Sequence, residues 1–170
     1  AMSWLGLSPD EGPYFQSERS EVYADALQKL LASGNAYLCT CTPEELEAQR
    51  AAAKAEGRGF AYNRHCRPGF GPGPDPDRPA TVRFAAPVDG EVTVNDLVKG
   101  PIVVQNSEID DFVIARSDGT PTYQLVVTVD DIEMEISHVI RGDDHLNNTT
   151  KQIHIYLALG AELPQFAHLP

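Results

Sequence analysis

The chain has 170 residues, of which 42% are hydrophobic, and its mean hydropathy is −0.28. That composition supports one domain, or one domain with part of another, and excludes global disorder. The net charge of −12 argues against a dedicated nucleic-acid-binding module, because such modules gain affinity by neutralising phosphates, so any nucleic-acid contact must be local or supplied by other parts of the protein.

No apolar run approaches the roughly 18–20 residues of a membrane span. The N-terminus has no basic segment followed by an apolar stretch, so a soluble cytoplasmic protein without a membrane partner is expected. Ala1-Met2 reads as a cloning scar ahead of an initiator methionine. Residues 1–16 carry turn signals at Ser8-Pro9-Asp10 and Gly12-Pro13. Ser17 is placed to cap a helix over 18–33, whose stripe is Val22, Tyr23, Ala26, Leu27, Leu30 and Leu31. Gly34 ends it, and a short strand over 36–40 follows. Thr42-Pro43-Glu44-Glu45 is a capping box with proline at the first helical position, and it starts a helix running to Glu56. That helix has few large apolar residues, so one face should be open to water.

Residues 67–79 contain Pro68, Pro72, Pro74, Pro76 and Pro79, a density that excludes helix and central strand and predicts an exposed, poorly ordered loop. Strands are expected over 81–86, 91–94, 101–105 and 111–116. A hairpin turn at 117–120 then leads into a strand over 122–129, and Asp130-Asp131 looks like a helix start. Residues 136–140 form an apolar strand that includes His138, read as a core histidine. Gly142-Asp143-Asp144 breaks it, and a buried helix follows over 148–159, ended by Gly160. The strand–break–helix order is half of a nucleotide-binding α/β unit, and the middle of the chain reads as an α+β insertion.

Three residue groups carry chemistry. Cys39, Cys41 and Cys66 are odd in number, which is no disulfide framework, and their spacing suits tetrahedral zinc. Tyr62 and His65 are the candidates for a fourth ligand, and three idle thiols are the plain alternative. Arg141 ends a strand, where α/β sheets bind ligands, and can hold a carboxylate by two parallel hydrogen bonds, with the Tyr123 hydroxyl adding a third. Asp143, Asp144 and His145 lie at the same edge and suit ribose hydroxyls or an ammonium group, though acidic residues also favour helix starts. His154 and His168 have no partner identifiable from the sequence.

Residues 12–19, 121–131, 138–149 and 166–170 together resemble glutamyl-tRNA synthetases, and the likeness covers nearly the whole chain. The resemblance implies a class I enzyme that activates glutamate with ATP and Mg²⁺ and transfers it to tRNA. It implies the fold class: α/β, a partial Rossmann-like catalytic domain carrying an inserted α+β, acceptor-end-binding domain. Residues 1–16 would end the first Rossmann half. Residues 17–120 would be the insertion, with a zinc knuckle over 39–66. Residues 121–170 would belong to the second half. Tyr123 and Arg141 would hold glutamate, and Asp143 and Asp144 would lie near the adenylate. Some members bind zinc through a C-x-C pair and a Tyr-x-x-x-Cys element, here Cys39, Cys41, Tyr62 and Cys66. Others use a histidine where this chain has Pro68, which favours Tyr62.

The chain departs from the family in lacking the His-x-Gly-His and Lys-Met-Ser-Lys-Ser-type motifs that handle ATP, the first strand with its glutamate-binding arginine, and the anticodon-binding region. Thr150 also replaces a common proline. A fragment that cannot make glutamyl-adenylate unaided is therefore expected, with apolar surface exposed near residues 122–159 and self-association through it. The alternatives are a stand-alone zinc-binding relative that docks tRNA or a protein, and the paralogue that glutamylates a tRNA base.

Overall fold

The computed structural model describes residues 3–8 and 10–170. Ala1 and Met2, on which the cloning-scar reading falls, and Pro9 of the first turn signal lie outside the described residues.

The helices are α1 (Ser20–Ala32), α2 (Pro43–Ala55), α3 (Tyr123–Glu133) and α4 (Leu146–Ala158). The strands are β1 (Ala36–Cys39), β2 (Thr81–Phe84), β3 (Glu91–Asp96), β4 (Gly100–Gln105), β5 (Val113–Ala115), β6 (His138–Gly142) and β7 (Gln165–Leu169). β1, β2 and β5 form one antiparallel sheet in the order β1-β2-β5. The second sheet has the order β4-β3-β7-β6. In it, β6 and β7 run parallel and are joined through α4, the βαβ unit expected of a Rossmann-like fold. The antiparallel β3–β4 hairpin joins it where Asp96 meets Phe166.

Local chemistry accounts for most boundaries. Gly34 adopts φ +76° and ends α1 in the left-handed conformation. In α2, Thr42 accepts from the Glu45 backbone N–H, and the Glu45 carboxylate accepts from the Thr42 N–H. Only Ala53 of α2 is buried, so its outer face is open, as its composition predicts. α1 departs from expectation. Ser17 lies in a 3₁₀ turn (Gln16–Glu18), and Arg19 takes the cap position without a side-chain cap bond.

The main correction concerns residues 122–129, which are helix α3 and not a strand. Asp130 and Asp131 accordingly lie near its end, not at a helix start. The run is rich in β-branched residues, which favours a strand reading. Yet Leu125, Thr128 and Val129 share one helical face and are buried against the common core. The buried Asp130 carboxylate then accepts from Tyr23 (2.8 Å), Arg19 (2.9 Å) and Gln16 (3.1 Å), tying α3 to α1 and the segment before it. His138 is also corrected: it is exposed at the start of β6, and its ring lies 3.0 Å from the Ser137 hydroxyl.

The loop at 67–79 has no helix or strand, as expected, but it is fastened. The Asp75 N–H donates to Thr40 Oγ1 (2.8 Å), and Arg78 pairs with Glu45 (2.9 Å). The main core gathers Leu30, Phe84, Ile114, Leu125, Ile155 and Phe166 from α1, both sheets, α3 and α4. A second cluster contains Tyr37, Cys39, Tyr62 and Cys66.

Candidate functional site

The cysteine cluster is built by β1 and two loops. Cys39 ends β1, Cys41 follows it just before the α2 cap, and Cys66 sits in a tight turn. Their sulfurs lie within 4.8 Å of one another. Cys41 and Cys66 Sγ are 3.6 Å apart, and the Tyr62 hydroxyl is 3.3 Å from Cys39 Sγ and 3.4 Å from Cys41 Sγ. Around a zinc ion with Zn–S bonds of about 2.3 Å, tetrahedral S···S edges measure about 3.7 Å and S···O edges about 3.5 Å. The donor set therefore fits a tetrahedral ion. His65 is exposed and stands outside the cluster; its N–H donates to Asn63.

Surrounding groups tune these donors. Burial pushes the Cys41 thiol up to about 12. Burial also opposes ionisation of Cys39, but hydrogen bonds from Tyr62, the Cys41 backbone and Arg83 outweigh it and lower its pKa. Arg83 donates to Cys39 Sγ (3.2 Å) and stacks 3.8 Å from the Tyr62 ring centre. Burial raises the Tyr62 phenol well above its usual range, while the Cys66 N–H donates to its oxygen (3.0 Å). A cation bound among these donors would ionise them together. Behind the cluster, buried Asp111 accepts from Tyr37 (2.7 Å), Arg67 (3.0 Å) and Arg64 (3.4 Å), holding the Cys66 turn against β1.

The second constellation lies where α3, β6 and α4 meet. Tyr123 is the first residue of α3, is 47% exposed, and its hydroxyl is 3.3 Å from His145 Nδ1. Arg141, near the end of β6, donates from Nη2 to Thr149 Oγ1 and Gln152 Oε1, both at 2.7 Å, and from Nε to His168 Nε2 at 3.3 Å. Tyr123 and Arg141 share no hydrogen bond among the described residues. Asp143 pairs with Lys99 (2.9 Å), which lowers its pKa. Asp144 is exposed, with His145 Nε2 3.8 Å away. Asp143, Asp144 and His145 form the 3₁₀ turn that leads into α4.

The structure supplies the partner of His168 that the sequence leaves unidentified. It is wholly buried, and its Nδ1 lies 2.6 Å from the Asp96 carboxylate. Nothing local in the sequence flags this pair, because Asp96 lies 72 residues earlier.

The model of the family described as "tRNA synthetases class I (E and Q), catalytic domain" matches residues 1–170. The chain belongs to this family. Among relatives, it is 54% identical to a glutamate–tRNA ligase of Syntrophobacter fumaroxidans and 56% identical to one of Thermodesulfovibrio yellowstonii. All of the chain is matched in both, but only 36% of either ligase. The solved glutamate tRNA ligase of Elizabethkingia meningosepticum, in complex with its amino acid, superposes with a TM-score of 0.87 at 36% identity. That match covers 99% of this chain and 37% of the other. This class I synthetase segment thus spans about a third of the length of its relatives, and its α/β fold is theirs.

Proposed function

We propose that the chain is the part of a glutamate–tRNA ligase that holds the amino acid and orients the tRNA acceptor end. The single observation that carries this is Arg141, held at the carboxyl end of a parallel strand by His168, Thr149 and Gln152. A guanidinium fixed there suits a carboxylate ligand, and the relatives are named for glutamate. Tyr123, exposed on the adjoining helix start, supplies a hydroxyl for the same ligand. Asp143 and Asp144 stand one turn away, beside the path of an adenylate.

Cys39, Cys41, Tyr62 and Cys66 would hold a structural zinc, which supplies a fixed crosslink between β1 and the Cys66 turn. Seven of the thirteen basic residues fall between positions 50 and 83, but Arg50, Arg58, Arg64, Arg67 and Arg78 are paired with carboxylates, so in this reading the tRNA contact draws on few free cations of this chain. By the same reading the domains divide at 1–16, 17–120 and 121–170, and the protein works in the cytoplasm.

Activation of glutamate uses ATP and Mg²⁺ and needs preorganised donors around the phosphates. The 170 residues contain no His-x-Gly-His motif, since none of the five histidines has a glycine two positions after it. The chain by itself is therefore expected to bind glutamate without forming glutamyl-adenylate. Isotope-detected pyrophosphate exchange on protein free of host synthetase checks this, and glutamate-dependent exchange would sink it. Zinc is checked by mass spectrometry on protein purified without added metal. About one ion per chain is expected, lost in Cys39→Ser; metal-free protein would leave ordinary thiols.

A further inference from the structure

Arg141 has five N–H groups, and three are already spent within the protein: Nε–H on His168, and both Nη2 hydrogens on Thr149 and Gln152. A side-on, two-nitrogen grip on a carboxylate is thereby closed. Nη1 has no hydrogen bond among the described residues and is the nitrogen left for a ligand. Which way Nη1 points depends on what holds the other edge of the guanidinium.

That edge is set by His168. Arg141 Nε can only donate, so His168 Nε2 must accept and carry no proton. The imidazole proton then sits on Nδ1 and is donated to Asp96 Oδ2 (2.6 Å). Asp96 is itself fixed. Its Oδ1 accepts the backbone N–H of Val98 (3.0 Å) and Lys99 (2.9 Å), and its Oδ2 accepts that of His168 (3.1 Å). An imidazolium would place a second N–H against the Arg141 donor and a second positive charge beside it. Asp96 and His168 are both buried, so no water competes for these bonds.

We infer that Asp96 and His168 are positioning residues for the ligand-binding arginine: Asp96 fixes the Nδ1–H tautomer of His168, and His168 Nε2 turns Arg141 so that Nη1 alone faces the ligand carboxylate. This rests on the reading of Arg141 as a glutamate-holding residue. It assigns a role to the β3–β4 hairpin as well, because Asp96 ends β3 and the sequence places that strand in the insertion. The hairpin reaches into the second Rossmann half and sets the orientation of a side chain there.

The test is nitrogen NMR on the chain, with His168 and Arg141 side chains observed directly. In the native chain, His168 is expected to be neutral with its proton on Nδ1, and the Arg141 Nε–H to be protected from exchange. Asp96→Asn places an amide donor against Nδ1, moves the imidazole proton to Nε2, and exposes the Arg141 Nε–H. Asp96 accepts several backbone bonds, so this variant can fail to fold; His168→Gln and His168→Ala then decide the matter. His168→Gln offers an amide oxygen near the Nε2 position and keeps the Arg141 Nε–H protected, whereas His168→Ala loses that protection. An imidazolium or Nε2–H form in the native chain overturns the inference, as does equal protection of Arg141 in the alanine and glutamine variants.

Glutamate is then titrated into each protein. Loss of one oriented charged hydrogen bond is worth roughly tenfold in affinity. The His168→Ala protein is therefore expected to bind glutamate about tenfold more weakly, with the His168→Gln protein near native. Equal affinity in the native and His168→Ala proteins overturns the positioning role and leaves the glutamate reading intact. No glutamate response at Arg141 in the native chain overturns the glutamate reading, and with it the ligand-directed part of the inference, even where the tautomer is as stated.

Discussion

At the scale of single residues, the meeting of Cys39, Cys41 and Cys66 was legible in their spacing, whereas Tyr62 was set ahead of His65 by the family resemblance. The C-x-C pair and the Tyr-x-x-x-Cys element meet in space with edges that fit a tetrahedron. The Asp96–His168 pair was not legible, because its two halves come from separate strands and meet only through the fold. His154 makes a separate point. It is buried in α4, its Nε2 has no partner among the described residues, and burial lowers its pKa. A histidine with a lowered folded pKa stays neutral in the native state while the unfolded chain takes up a proton below about pH 6.5. Stability is therefore fully present above that pH and falls as pH drops toward the folded pKa. Denaturant midpoints measured from neutral to mildly acidic pH should decline in the native chain and decline less in His154→Leu. Identical declines would mean that His154 is protonated without cost.

At the scale of elements, helices with strong end signals were readable and α3 was not. The α2 boundary follows from Thr42, Pro43 and Glu45 alone. Residues 122–129 carry no such cap, and Thr122 makes no side-chain cap bond. Their apolar run satisfies both periods, and burial against the helical layer, with Asp130 drawn to Arg19 and Tyr23, decides for helix. The loop at 67–79 was readable as lacking regular structure but not as fastened, since its anchors lie on distant elements. One anchor is steric. A Cβ at Gly71 would lie 2.1 Å from the His65 carbonyl oxygen, so that close approach requires glycine. The turn it closes carries Cys66. Gly71→Ala should push residues 65–71 apart, destabilise the chain by about 1–3 kcal/mol and speed loss of the bound metal to a chelator. Unchanged metal retention in a folded Gly71→Ala protein would detach the turn from the metal site.

At the scale of the whole molecule, the open side of the four-stranded sheet dominates. β6 pairs only with β7, so one edge of the strand has no neighbour among the described residues. Ile140 on β6 is 64% exposed, and Met134, Ile136 and Leu157 are exposed in the surrounding elements. An unpaired edge beside apolar side chains is a template for pairing with another chain. In relatives about three times as long, further chain is available to cover this face. In the 170-residue chain, a second copy is the nearest apolar partner. Sedimentation velocity over a rising concentration series should therefore show reversible self-association. Ile140→Lys places a charge on the exposed face of the edge strand without touching the buried core, so it should shift the series toward monomer while circular dichroism stays native. A native chain that sediments as a single monomer throughout the series would show that the edge protects itself, with the charged turn at Asp143-Asp144 as the first place to look for the repulsion that does so.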